Sequence, residues 1–235
     1  SERIGDVEAA IDAYESVLEI DPTHEGALSD LQALFRASER FEDLTRVLIA
    51  SARASENDKL ASSWLMAAAR IQRDRLGSLE EALATLLEAE GRTPDDLFLL
   101  HEIEAVCELL GRFEDALTAL ERQTSFSQSP KEQANLLHRT GALLENQLGR
   151  VEDAIASYRK AIALHPNCIP ALQNLGRLLE RGERWAELGE LYRLELERDT
   201  DLSHRVAALF KLADLYSSKL DRADLAIDTL RTLLE

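Results

Sequence analysis

Residues 149–166 read "GRVEDAIASYRKAIALHP", and residues 5–22 read "GDVEAAIDAYESVLEIDP". The two stretches lie 144 residues apart and keep glycine, alanine, tyrosine and proline in the same places. Internal repetition decides a fold before any local pattern does. Working outward, Ala10, Leu44, Ala82, Ala116, Ala154, Leu188 and Ala226 hold one equivalent position, with spacings alternating 34 and 38. The repeating unit is therefore a pair of 72 residues. Gly5, Gly77 and Gly149 align at that period, with Asp221 in the fourth place, and so do Pro22, Pro94 and Pro166. The stretches "ERFEDL" (39–44), "GRFEDA" (111–116) and "ERWAEL" (183–188) follow the same step.

Within each repeat the apolar residues fall at helical spacing. Leu172, Leu175 and Leu179 mark one stripe, and Leu188, Leu191, Tyr192 and Leu196 the next. Glycine or a polar residue divides the stripes, and proline or a polar cluster such as "ASEND", "TSFSQSP" or "ERDTD" closes the second. No segment alternates as a strand would. The expectation is an all-α chain of thirteen helices, beginning with an unpaired second helix near residues 6–20. One helix–turn–helix cannot bury its own apolar face, so neighbours stack into an α-solenoid. Ala154 lets helices approach, Tyr158 fills the space beside it and Pro166 stops the helix. A large residue at Ala154 would overpack that contact.

The pattern carried by Gly5, Ala10, Tyr14 and Pro22, and by Gly149, Ala154, Tyr158, Ala161 and Pro166, resembles the tetratricopeptide repeat family. The resemblance covers the whole chain. Departures are leucine for the small residue at Leu44 and Leu188, no first-helix tryptophan, and an extra turn residue at Leu76, Leu148 and Leu220. It implies one solenoid over 1–235, wound as a superhelix: a half repeat at 1–24, then repeats at 25–58, 59–94, 95–128, 129–166, 167–200 and 201–235. The chain opens partway into a repeat at Ser1 and stops inside an apolar helical pattern at Glu235, so a piece of a longer tandem array is expected. Apolar residues at its ends (Ile4, Leu230, Leu233, Leu234) would favour end-to-end self-association.

A net charge of −17 disfavours attraction to DNA phosphates or anionic lipid. No apolar run approaches the roughly 20 residues that span a bilayer. Two cysteines make a disulfide framework unexpected and a reducing cytoplasm the simplest setting. Arginine outnumbers lysine 22 to 5, which suggests GC-rich coding and a bacterial source.

A search for chemistry finds little. "HEIEA" (101–105) lacks the second histidine of a zinc-binding helix, since position 105 is Ala. His101 and His138 read as partner-facing polar side chains on first helices rather than a metal pair. No phosphate-cradling or nucleophile motif occurs. Cys107 falls on an apolar stripe, whereas Cys168, beside Pro166, stands at a helix start, an exposed kind of position. Arg40, Arg112 and Arg184 each precede an acid by three residues (Asp43, Asp115, Glu187), which reads as local turn pairing. Neither an enzyme nor a cofactor is expected.

The resemblance implies that first helices line a concave face where ligands dock. Carried onto this sequence, that face includes Arg36, Met66, Arg70, Arg73, Phe98, His101, Glu108, Asn135, His138, Gln173, Arg177, Arg181 and Phe210. The family's carboxylate clamp is absent, since its lysine positions read Ser29, Met66, His101, His138, Gln173 and Phe210. What remains is a near-neutral groove with apolar points between two arginine clusters. It suits a protein or peptide segment of mixed charge with an apolar anchor near Phe98 and Met66. The expected function is a protein–protein interaction scaffold. The alternative is a regulatory or sensor array fused to a kinase or protease domain outside this segment.

Overall fold

The computed structural model describes residues 2–198 and 202–232. The chain divides into two compact units, Ser1–Phe126 and Ser127–Glu235. The first unit holds α1 (Glu2–Ile20), α2 (Glu25–Ala37), α3 (Phe41–Ala54), α4 (Asp58–Ile71), α5 (Leu79–Arg92), α6 (Leu97–Leu109) and α7 (Phe113–Phe126), with a π-helical turn at Gln72–Leu76. The second holds α8 (Pro130–Asn146), α9 (Val151–Leu164), α10 (Ile169–Arg181), α11 (Trp185–Arg198), α12 (Leu202–Ser218) and α13 (Ala223–Arg231). Among the described residues there are thirteen α-helices and no strand. Within each unit every helix packs on the next one in sequence, the nearest-neighbour stacking of a solenoid.

Four of the first helices start on side-chain caps. His24, Asn57, Asp96 and Ser129 each accept a backbone N–H of the opening turn of α2, α4, α6 and α8. Second helices use a different device. At α3, α7 and α11 an arginine stands just before the helix and donates to the acid three residues on, at 2.7, 2.7 and 2.6 Å (Arg40–Asp43, Arg112–Asp115, Arg184–Glu187). Those same arginines reach back to the preceding second helix, to Glu8 (3.0 Å), Glu80 (3.7 Å) and Glu152 (2.8 Å). The local pairing read from sequence is present, and it doubles as a strut between repeats.

One of the four residues that separate the 34 and 38 spacings lies in the turn, and the others in the longer first helices of the long-spaced units. In the short turns the N–H of Arg40, Arg112 and Arg184 bonds the carbonyl five residues back, at Phe35, Cys107 and Leu179. In the long turns the N–H of Ser78, Arg150 and Arg222 bonds six residues back, at Gln72, Leu144 and Tyr216. The residue before each of these donors is left-handed: Glu39, Gly111 and Glu183 in one class, Gly77, Gly149 and Asp221 in the other. The left-handed region favours glycine, which explains the aligned Gly77 and Gly149.

The core is small-into-large packing. Tyr158 is fully buried, and a Cβ on Gly141 would lie 2.5 Å from its ring. Seventy-two residues earlier Ala69 and Leu86 take those two places, both buried. Cys107 is buried, and burial pushes its thiol up to about 11. Cys168 corrects the sequence reading: it is buried at 3% exposure, because the turn after Pro166 folds its side chain inward as α10 begins. Leu230 is partly exposed, as expected, whereas Leu233, Leu234 and the side chain of Ile4 lie outside the described residues.

Candidate functional site

In the first unit the face formed by α4, the π turn and α6 gathers four of the anticipated residues. Met66 is half-buried on α4. Phe98 is 51% exposed on α6, and the Arg70 guanidinium stands over its ring, 5.6 Å from the centroid. Arg70 also donates to Glu102 at 2.9 Å, and Arg73, carried on the π turn, donates to the other oxygen of that carboxylate. Arg73 further chelates its neighbour Asp74 (2.7 Å). Burial opposes the charge on Glu102, but the two arginines outweigh it and hold the carboxyl below the ordinary glutamate value. Asp74 is held low chiefly by its bond to Arg73. The face therefore pairs an exposed aromatic ring with charges of both signs that are already engaged.

In the second unit the corresponding face, on α8 and α10, is a polar network. Asn174 Nδ2 lies 3.1 Å from His138 Nε2 and 3.3 Å from the Tyr158 hydroxyl. That hydroxyl donates to Glu145 at 3.0 Å, and Arg177 bonds the second Glu145 oxygen. The His138 and Tyr158 rings are 5.8 Å apart. Burial lowers the His138 pKa and, with Glu145 second, raises that of Tyr158, so a neutral imidazole and an intact phenol share this joint near neutral pH.

The remaining anticipated residues are not drawn into either cluster. Arg36 is exposed on α2 and bonds its own-helix neighbour Gln32 at 3.1 Å. His101 is exposed on α6 with its Nδ1 3.4 Å from Glu104. Glu108, Asn135, Gln173 and Arg181 are exposed on first helices, and Phe210 is 56% exposed on α12. His138 lies against Asn174, and Arg70, Arg73 and Arg177 each hold a carboxylate on an adjoining first helix.

Sequence reasoning missed Glu102, Glu104, Gln123 and Asn174. Glu104 is fully buried at the first-helix position where Ala69, Gly141, Gly176 and Ala213 stand in other repeats. It accepts from Gln123 Nε2 at 2.9 Å, a polar pair built where the pattern expects small residues. The break in that pattern was the available signal. Among the described residues no group of three or more His, Cys, Asp or Glu side chains is arranged to hold a metal ion. No helix there is long and apolar enough to cross a membrane.

Family models described as tetratricopeptide repeat match residues 2–24, 110–167, 140–203 and 207–235, together more than half of the chain. The protein belongs to the tetratricopeptide repeat family. The crystal structure of MamA is similar at TM-score 0.50 and 18% identity, covering 71% of this chain and 93% of that one. The MamA RS-1 ArsTM double mutant gives 0.51 at 20% identity, over 77% and 98%. A tetratricopeptide repeat protein from Parabacteroides merdae ATCC 43184 gives 0.50 at 20% identity, over 95% and 79%. At such identities the likeness is one of fold. No curated protein matches the sequence.

Proposed function

We propose that this chain is a protein-interaction scaffold that grips partner segments on its first-helix faces, with the α4–α6 face as the principal contact. The observation that carries the reading is Phe98, half in solvent and stacked under Arg70. An aromatic ring held by a cation is pre-ordered, so covering it costs little side-chain entropy. Aromatic and arginine anchors of this kind carry most of the binding energy where proteins meet. The Arg70–Glu102–Arg73 cluster gives the rim both signs of charge, which favours a partner of mixed charge over a purely acidic tail.

The test is a titration. Proteins captured by the full chain from the source cells would be identified and measured against the wild type, Phe98→Ala with Arg70→Ala, and Leu87→Ala. Leu87 is exposed on α5, a second helix. The double variant should bind at least about tenfold more weakly, roughly 1.4 kcal/mol, with unchanged helicity, and Leu87→Ala should bind as wild type. Equal weakening by Leu87→Ala would move the site to the second helices.

A further inference from the structure

The joint between α10 and α12 differs from the polar joints at α4–α6 and α8–α10. It is a crevice of about 230 Å³, reaching down to the C-terminal half of α11 and walled by Ile169, Leu172, Leu194, Ala207 and Ala208. Lys211 stands at its rim, its ammonium 5.8 Å from the Tyr192 ring, and Glu195 also borders it. The sequence explains the gap. Seventy-two residues earlier the place of Ala208 is held by a buried leucine, Leu136, and that of Leu194 by an arginine, Arg122. The second occurrence lacks an isobutyl group and a long cationic chain, and nothing larger replaces them. Ile169, 55% exposed at the mouth, extends the apolar wall outward. Gln173 at the edge supplies an amide that can pair with a backbone peptide group.

We infer that this crevice is a second anchor site, which takes one leucine-like side chain from a protein partner in a segment whose adjacent carboxylate meets Lys211. The stretch of wall formed by Ile169, Leu172, Leu194, Ala207 and Ala208 favours an aliphatic group, while Asn167, Gln173, Glu195 and Lys211 leave the rest of the lining polar. The absent leucine sets the size of the occupant, and the rim ammonium sets the sign of its neighbour. Among the described residues Lys211 has an aromatic ring rather than a carboxylate as its partner. An incoming acid therefore displaces no ion pair there. The inference rests on the first-helix-face reading but locates its own anchor far in sequence from Phe98.

Methyl-labelled full chain would be titrated with acetyl-Glu-Leu-Leu-Asp-amide and, separately, acetyl-Glu-Ala-Ala-Asp-amide. Leucine peptide should shift the methyls of Ile169, Leu172 and Leu194, and the alanine peptide should shift them about tenfold less at equal concentration. Ala208→Leu, which restores the missing side chain, should abolish the response. Lys211→Glu, on the exposed rim, should weaken it several-fold while Lys211→Arg retains it, and these two carry the test if Ala208→Leu misfolds. Equal response to both peptides, or an unchanged response in Lys211→Glu, overturns the inference. Shifts gathered at Met66 with none at Leu172 and Leu194 would also overturn it, while leaving the α4–α6 reading intact.

Discussion

The α4–α6 and α8–α10 joints are the same place in the repeat, 72 residues apart, and they share almost no surface chemistry. Met66 corresponds to His138, Arg73 to Glu145, Phe98 to Pro170 and Glu102 to Asn174. An ion pair crosses each joint, with the charges exchanged and the later-helix partner shifted by three residues: Arg73–Glu102 in the first unit, Glu145–Arg177 in the second. Beneath the surface the opposite holds. Ala69 over Leu86 becomes Gly141 over Tyr158, so a smaller first-helix residue accompanies a larger second-helix one and the volume is conserved. Packing is shared between repeats because each must stack on a neighbour of the same shape. The polar face is free to differ, and reversed charges also make the two joints poor substitutes for one another, which opposes mis-stacking.

The comparison is broken most severely at its smallest residue. Gly141→Ala places a Cβ against the Tyr158 ring and should destabilise the protein by about 1–3 kcal/mol in urea unfolding. Gly176→Ala, whose added Cβ would meet only Leu191 and Leu188 at 3.6 and 3.9 Å, should stabilise by about 0.5–1 kcal/mol through helix propensity. Equal effects would mean that the α8–α9 contact is not the close one described.

A smaller effect sharpens the polar half of the comparison. Glu102→Gln removes the charge that two arginines share and should cost about 1–2 kcal/mol near pH 7, discounted for the half-exposed Arg70. The folded-state pKa of Glu102 is depressed below its ordinary 4.5. Its contribution is therefore complete above that value and lost as pH falls through the folded value. Wild type and Glu102→Gln should converge in stability on acidification below about pH 4.5, a window set by that direction of shift. A gap that stays constant down to pH 3 would show that the carboxylate contributes nothing as a charge.

The fold was legible because its signal is repeated. Gly77 and Gly149 mark left-handed turn residues, and the acids three residues after Arg40, Arg112 and Arg184 are in reach within one helical turn. The candidate site was only half legible. Positions such as Phe98 and Met66 follow from the resemblance, but whether Arg73 or Arg177 is free depends on partners 29 and 32 residues away on another helix. Periodicity says which residues share a face and nothing about which ones bond across a joint. Glu104 shows the same limit, since a glutamate on a helix reads as solvated until Gln123 is found opposite it.

Site-resolved photo-crosslinking tests the central claim, that partners are gripped by the first-helix faces, most directly. A benzophenone amino acid would replace Phe98 and Phe210 on first helices, and Leu87 and Leu164 on second helices, all four exposed in the free chain. Irradiation in extract of the source cells, followed by separation by mass, should give discrete protein adducts from the Phe98 position and none from Leu87 or Leu164. Adducts confined to Leu87 and Leu164 would contradict the claim and assign recognition to the second-helix surface with its arginine struts.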